Sequence, residues 1–294
     1  MINSTINSTN TMKTNFTLWL FAGSLLLGVG APSSAWAQAG TNAPLFPDKK
    51  LEAAVRRQVF EKRDNDKPLV EADVVNLSTI DGKGMGITDL TGLEKCRSLA
   101  SLDLAKNQIR KIDALTNLAN IQLLILSDNQ IEDVSALAGV RALQYIELSN
   151  NKVKSIAALA AVTNLASVYL ANNQITDLSP LFQQRRMSSL YADNNPLTGI
   201  KGVGALATLM TLSLNATGVA DLGALEGLGN LYYLFLEKNK ITDLTPLHNL
   251  LKKDNDGPKR FAPFINIYLA GNPLSEAGKK QVAAMKEIGA RVNF

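Results

Sequence analysis

Cysteine, histidine and tryptophan are nearly missing from this 294-residue chain, which has one Cys, one His and two Trp. A single cysteine excludes an intramolecular disulfide, and Cys96, with no Cys or His beside it, reads as a structural thiol. With His248 as the sole imidazole, no metal centre built on several His or Cys ligands can form, and no Ser-His-Asp or Cys-His set can be assembled around it. The chain therefore reads as non-catalytic, with no metal and no cofactor, and His248 is expected in a solvated turn after Pro246-Leu247. Runs of positive charge are also short. A net charge of +4 is spread over 30 basic and 26 acidic residues, and no run exceeds two basic residues, which argues against nucleic acid.

Long hydrophobic runs are absent beyond the amino terminus, so no transmembrane anchor is expected in the mature chain. Residues 1–37 read as a signal peptide. Lys13 is their only charge, Leu18 to Val29 form an apolar core, and Ala35-Trp36-Ala37 before Gln38 offers a small-x-small cleavage site. Met12 offers an alternative start. Cleavage after Ala37 implies a secreted or periplasmic product, with no cysteine at the cut for lipid attachment.

What is abundant is leucine on a fixed period. Asn107, Asn129, Asn151, Asn173 and Asn195 recur every 22 residues; Thr217 takes the next place, Asn239 resumes it, and Asn272 returns after an insertion. A constant period of this length marks a solenoid whose units stack on one another. Counting units from Leu99, position four reads Leu102, Leu124, Ile146, Val168, Leu190, Leu212 and Leu234, and position six reads Leu104, Leu126, Leu148, Leu170, Ala192, Leu214 and Leu236. Alternation with period two predicts a short strand with these side chains inward. Past the Asn the apolar spacing becomes three, as in Ile109, Ile112, Leu115 and Leu118, which suits an extended turn or 3₁₀ segment. Only Gln184 interrupts these columns. The Asn itself carries donors and an acceptor that can satisfy backbone groups where the strand bends; Thr217 and the small Ala192 are expected weak points.

These residues resemble leucine-rich repeat proteins, and more closely the internalin-like bacterial branch with 22-residue units. Asn173-Gln174-Ile175-Thr176-Asp177-Leu178-Ser179-Pro180-Leu181 and Asn239-Lys240-Ile241-Thr242-Asp243-Leu244-Thr245-Pro246-Leu247 carry that likeness. The resemblance implies an α/β solenoid, a right-handed superhelix with a curved parallel β-sheet on the concave face and 3₁₀ or turn segments on the convex face. Both ends need caps. Residues 38–76 are assigned to a linker and helical cap, with helices expected from Lys49 to Lys62 and from Val70 to Leu77. Repeats occupy 77–274, with Gly82 to Ser98 completing a degenerate first unit and a charged loop inserted at 251–261. A C-terminal cap fills 275–294, with a helix from Ser275 to Ile288 stopped by Gly289 and a last strand from Ala290. Neither the following immunoglobulin-like domain nor the wall-anchor signal common among internalins is found in this sequence, so the wall display and host-adhesion role that the resemblance would imply are not expected to carry over.

Two acidic stretches, Asp64-Asn65-Asp66 and Asp254-Asn255-Asp256-Gly257, match calcium loops too poorly to count as sites. Outward-facing strand positions are more informative. Tyr145, Tyr169, Tyr191, Tyr233 and Tyr268 all fall on them, and the fifth-position column reads Asp103, Ile125, Glu147, Tyr169, Tyr191, Ser213, Phe235 and Tyr268. With strands about 4.8 Å apart this predicts a nearly contiguous aromatic strip, edged by Asp103, Glu147 and Glu237. Exposed rings combine rigid area with polar tips and suit recognition. The expected function is binding of a protein or peptide partner on the concave face by a monomer. A carbohydrate- or envelope-binding module is the alternative. A cytosolic phosphatase-regulating scaffold follows only if the leader is misread.

Overall fold

The computed structural model describes residues 43–294; the expected leader and its cleavage site after Ala37 lie outside them. Ten short strands form one parallel sheet in sequence order: β1 (Thr79–Asp81), β2 (Ser101–Asp103), β3 (Leu123–Ile125), β4 (Tyr145–Glu147), β5 (Ser167–Tyr169), β6 (Ser189–Tyr191), β7 (Thr211–Ser213), β8 (Tyr233–Phe235), β9 (Asn266–Tyr268) and β10 (Arg291–Asn293). From β2 to β8 equivalent residues pair at an offset of 22, as in Leu102 with Leu124 and Leu124 with Ile146. Each unit is thus one coil of a solenoid: a strand, a bend and a return through the convex side.

The convex turns have a local cause. Asp177 Oδ1 accepts the Ser179 N–H at 2.8 Å while its Oδ2 accepts the Ser179 hydroxyl at 2.7 Å. Asp243 accepts the Thr245 N–H and hydroxyl both on Oδ1, at 2.9 and 2.6 Å. Pro180 follows at the start of a 3₁₀ turn, Ser179–Leu181, where its fixed φ and missing N–H cost nothing. The Asp-Leu-Ser/Thr-Pro sequence thus starts the 3₁₀ turn at Ser179 and a helix at Thr245.

The interior is one continuous aliphatic cluster running from Phe46 to Val292. The Asn ladder seals it. Asn195, 1% exposed, donates from Nδ2 to the carbonyls of Leu170 and Ala192 at 2.9 and 3.0 Å, and its Oδ1 accepts the Ile175 N–H at 2.9 Å. Each amide therefore ties its own bend to the preceding coil, satisfying groups the ladder leaves orphaned. At Thr217 the ladder is bridged rather than broken. The hydroxyl donates to Leu214 O at 2.9 Å, and Asn239 Oδ1 collects N–H groups from Thr217, Gly218 and Val219 at 3.0, 2.9 and 3.2 Å.

Several expectations need correction. The first helix, α1 (Lys49–Arg56), ends six residues before Lys62. There the Arg56 guanidinium folds the chain back by donating to the carbonyls of Lys62, Asn65 and Lys67 at 3.1, 3.0 and 2.9 Å. The second, α2, is only Glu71–Val74. Asp48 caps α1 through Oδ1 on the N–H of Lys50 and Leu51, while Oδ2 accepts Thr88 and Asp89 N–H, so one carboxylate joins cap to first coil. Burial pushes its pKa up, but these backbone donors outweigh that and hold it below 3.8.

His248 does not sit in a turn. It lies in α3 (Thr245–Asp256), a convex helix of twelve residues that absorbs most of the insertion. Nor is the insertion a free charged loop, because Asp254 is 3% exposed and accepts the N–H of Phe261 and Ala262 at 3.0 and 3.1 Å and Arg260 Nε at 3.2 Å. Its carboxylate folds the segment back so that Phe261 enters the core, which leaves it no role as a cation ligand. At the far end α4 (Glu276–Glu287) is capped by Ser275, and Gly289 at φ 97° turns the chain into β10.

Candidate functional site

Strand alternation puts Leu and Ile into the core and the intervening residues onto the concave face. The expected partner-contacting residues are all there: Asp103, Ile125, Tyr145, Glu147, Tyr169, Tyr191, Phe235, Glu237 and Tyr268 are half-buried, and Tyr233 is exposed. In-register pairing of Glu147 with Tyr169, Tyr169 with Tyr191, and Phe235 with Tyr268 sets side chains of one column beside each other.

The aromatic strip is not contiguous. It forms two stacks. Tyr169 and Tyr191 lie with centroids 4.8 Å apart and planes 9° from parallel, and Tyr145 leans on Tyr169 at 5.2 Å and 38°. Phe235 and Tyr268 stack at 4.6 Å and 12°, with Tyr233 at 6.1 Å from Phe235. Between them stands Ser213, 2% exposed, in a polar seam. Its hydroxyl donates to Asp193 Oδ1 at 2.6 Å, which also accepts the Asn215 N–H at 2.7 Å, and Asn215 Oδ1 accepts the Glu237 N–H at 2.7 Å. Asp193 and Asn215 belong to the seventh-position column, which continues the ladder beyond the three-residue strands. Sequence reasoning missed them as site residues, although aligning that column would have found them.

The ring hydroxyls face outward. Among the described residues the phenols of Tyr145, Tyr169, Tyr191, Tyr233 and Tyr268 have no hydrogen-bond partner in the chain, the nearby polar contacts running instead between Glu147 and Ser149 N–H or within the Asp193 seam. Burial, then the neighbouring ring, then Glu147 push the phenols of Tyr145 and Tyr169 above the ordinary tyrosine range.

Two further surfaces adjoin the face. Along its rim Asn194, Asn172 and Asn150 each donate from Nδ2 to the residue 22 before, at 2.8, 2.7 and 2.8 Å, ending on Asp128 Oδ1. All four adopt positive φ of 54–59°, where Asn and Asp are tolerated. At the strand entry Met210, Tyr232 and Phe264 are 45%, 42% and 53% exposed. Cys96 takes no part: it is buried, and burial followed by Glu94 pushes its thiol up to about 12.

Residues 119–161 match the family model described as Leucine Rich repeats (2 copies). Internalin C2 of Listeria monocytogenes is 32% identical, with 70% of this chain and 91% of that one covered and a TM-score of 0.66. An internalin (InlF) of the same species is 22% identical over 86% of this chain and 93% of that one, at a TM-score of 0.65. A plant peptide hormone receptor, RGFR1, solved in complex with RGF2, shares the fold at 21% identity, 62% and 30% coverage, and a TM-score of 0.52. No curated protein matches the sequence. Among the described residues no helix is long and apolar enough to cross a membrane. With its period, its Asn ladder, its Asp-initiated convex turns and a likeness to internalin C2 across most of both molecules, the chain belongs to the internalin-like leucine-rich repeat proteins.

Proposed function

We propose that this is an exported, non-catalytic module that takes a protein or peptide partner on the concave face, through Asp103, Ile125, Tyr145, Glu147, Tyr169, Tyr191, Tyr233, Phe235, Glu237 and Tyr268. The observation that carries the reading is the pair of aromatic stacks, held rigid by the sheet yet open to solvent, with unbonded hydroxyls at their tips. Rigid rings lose little entropy on contact and offer both apolar area and donors, the combination that dominates protein interfaces. The receptor solved with RGF2 supports the general reading that a leucine-rich repeat surface serves recognition.

Carbohydrate binding is the weaker reading. Sugars pack on open ring faces, whereas Tyr169 and Tyr191, like Phe235 and Tyr268, turn faces toward each other and offer mainly edges. Export rests on the leader, and finding Gln38 at the amino terminus of the native protein tests it while eliminating the cytosolic scaffold alternative. The face is tested by replacing Tyr169, Tyr191 and Phe235 with Ala together. Folding should persist by circular dichroism, and affinity for a protein ligand cross-linked in the native extract should fall more than about 30-fold, as loss of central aromatic contacts does. Unchanged affinity rejects the face; ligands found only on a glycan array favour the carbohydrate reading.

A further inference from the structure

The charge of the concave face opposes that of the whole molecule. The chain carries +4, yet the outward strand positions hold Asp81, Asp103, Glu147, Asp193 and Glu237, while Lys83 and Arg291 are the basic residues on them and stand at the two ends. Among the described residues none of these five carboxylates takes part in an ion pair; the ion pairs fall in the amino-terminal cap, between it and Lys95 and Arg97 of the first unit, in the insertion and in α4. Asp103 and Glu147 each give one oxygen to an N–H two residues on, at 2.9 and 2.8 Å. That fixes the side chain and leaves the other oxygen free.

Apart from Asp81, which stands directly beside Asp103 on the neighbouring strand, the carboxylates recur on alternate strands. Asp103 lies on β2, Glu147 on β4, Asp193 just after β6 and Glu237 just after β8, one carboxylate for every second strand, or about 9.6 Å at the usual strand separation. A ligand crossing the strands must present its complementary charge at that interval. An extended β-strand repeats a face every two residues, about 6.6 Å, which does not match. A polyproline II segment repeats a face every three residues, about 9.3 Å, which matches the two-strand steps from Asp103 to Glu147 and from Asp193 to Glu237; the oblique step from Glu147 to Asp193, about 11.7 Å with two residues of offset along the strand, needs the reach of a long Lys or Arg side chain. Its backbone carbonyls also have no internal donors, and the unbonded phenols of Tyr145, Tyr169, Tyr191, Tyr233 and Tyr268 are donors aimed out of the same face. Aromatic-lined grooves are the usual seat of such segments.

We infer that the partner, on the reading that the concave face is the binding face, is a cationic segment in polyproline II conformation with Lys or Arg at every third residue. Its cations meet Asp103, Glu147, Asp193 and Glu237 in turn, its prolines pack on the ring edges, and its carbonyls accept from the phenols. The path shifts obliquely from the fifth-position to the seventh-position column between β4 and β6.

The test uses fluorescence anisotropy of three labelled peptides with the chain: four repeats of Arg-Pro-Pro, an isomer of equal composition with its four Arg adjacent, and four repeats of Glu-Pro-Pro. The first should bind about tenfold more tightly than its isomer, and the acidic peptide not at all. Glu147→Gln with Glu237→Gln, both half-buried positions where an unchanged melting temperature confirms folding, should weaken the first about tenfold through loss of two ion pairs. Equal binding of the two Arg peptides, or no effect of the double substitution, overturns the inference. Panning a random peptide display library separates the two levels. Ligands that need Tyr169, Tyr191 and Phe235 but lack triplet-spaced cations leave the binding face standing and overturn the polyproline register. An absence of ring-dependent ligands overturns both.

Discussion

Two Asn ladders run in parallel along this molecule and behave oppositely. The buried one, Asn107 to Asn272, sits 1–9% exposed and bonds to backbone N–H and C=O groups of two coils. The rim ladder from Asn194 to Asp128 is exposed and bonds only to its own members. The same side chain at the same period is structural in one place and nearly neutral in the other, because burial removes the water that would otherwise replace a lost partner. Period alone therefore cannot assign a role; accessibility decides it.

Substitution should expose that contrast. Asn239→Ala orphans the amides of Thr217, Gly218 and Val219 and takes one donor each from the carbonyls of Leu214 and Leu236, which keep the Thr217 hydroxyl and the Asn272 amide; it should cost about 3 kcal/mol in denaturant unfolding. Gly139→Ala should follow at about 2 kcal/mol, because the added methyl meets the Thr116 carbonyl of the neighbouring coil and backbone cannot step aside.

Asp254 gives an acid-sensitive version of the buried case. Burial raises its pKa, but the Phe261 and Ala262 N–H groups and Arg260 more than offset that and hold it below 3.8. A depressed folded-state pKa means the stabilisation is complete above the unfolded value and is lost as pH falls through the folded one. Hydrogen exchange at Phe261 and Ala262 should therefore be slow at pH 5 and accelerate below about pH 4. Asp254→Ala should give fast exchange at both.

Gln184 inverts the sign. It stands in an aliphatic column at 1% exposure, with Nε2 donating to Leu159 O at 3.2 Å and Oε1 unpartnered. Gln184→Leu should stabilise the protein by about 1 kcal/mol, read as a higher denaturation midpoint. The smallest effect belongs to the rim. Asn172→Gly, which keeps the positive φ and deletes two exposed hydrogen bonds, should change stability by less than about 0.5 kcal/mol.

The coil register, the inward columns and the buried ladder were legible because a 22-residue period repeats one local solution, so each unit corroborates the next. Where the period lapses, legibility went with it. The helix α3 is not visible in the sequence because Asp254-Asn255-Asp256 looks solvated, and nothing local announces that Asp254 reaches forward to the amides of Phe261 and Ala262. Arg56 ended α1 early in the same way, through carbonyls up to eleven residues on. For the face, strand alternation puts the ten expected contact residues on the outward side, while Ser213 of the same column is buried. Contiguity failed at Ser213, where the missing ring was visible in the column but the Asp193 and Asn215 seam that closes over it depends on hydrogen bonds across coils.

Under the proposed function, the concave rings are the surface that a partner covers. Hydroxyl-radical footprinting of the chain with and without its bound protein ligand reads this directly, since Tyr, Phe and Met are all reactive reporters. Protection confined to Tyr169, Tyr191, Phe235 and Tyr268 is the predicted result. Protection at Met210, Tyr232 and Phe264 or on the convex side, with those four rings as reactive as in the free chain, would contradict it.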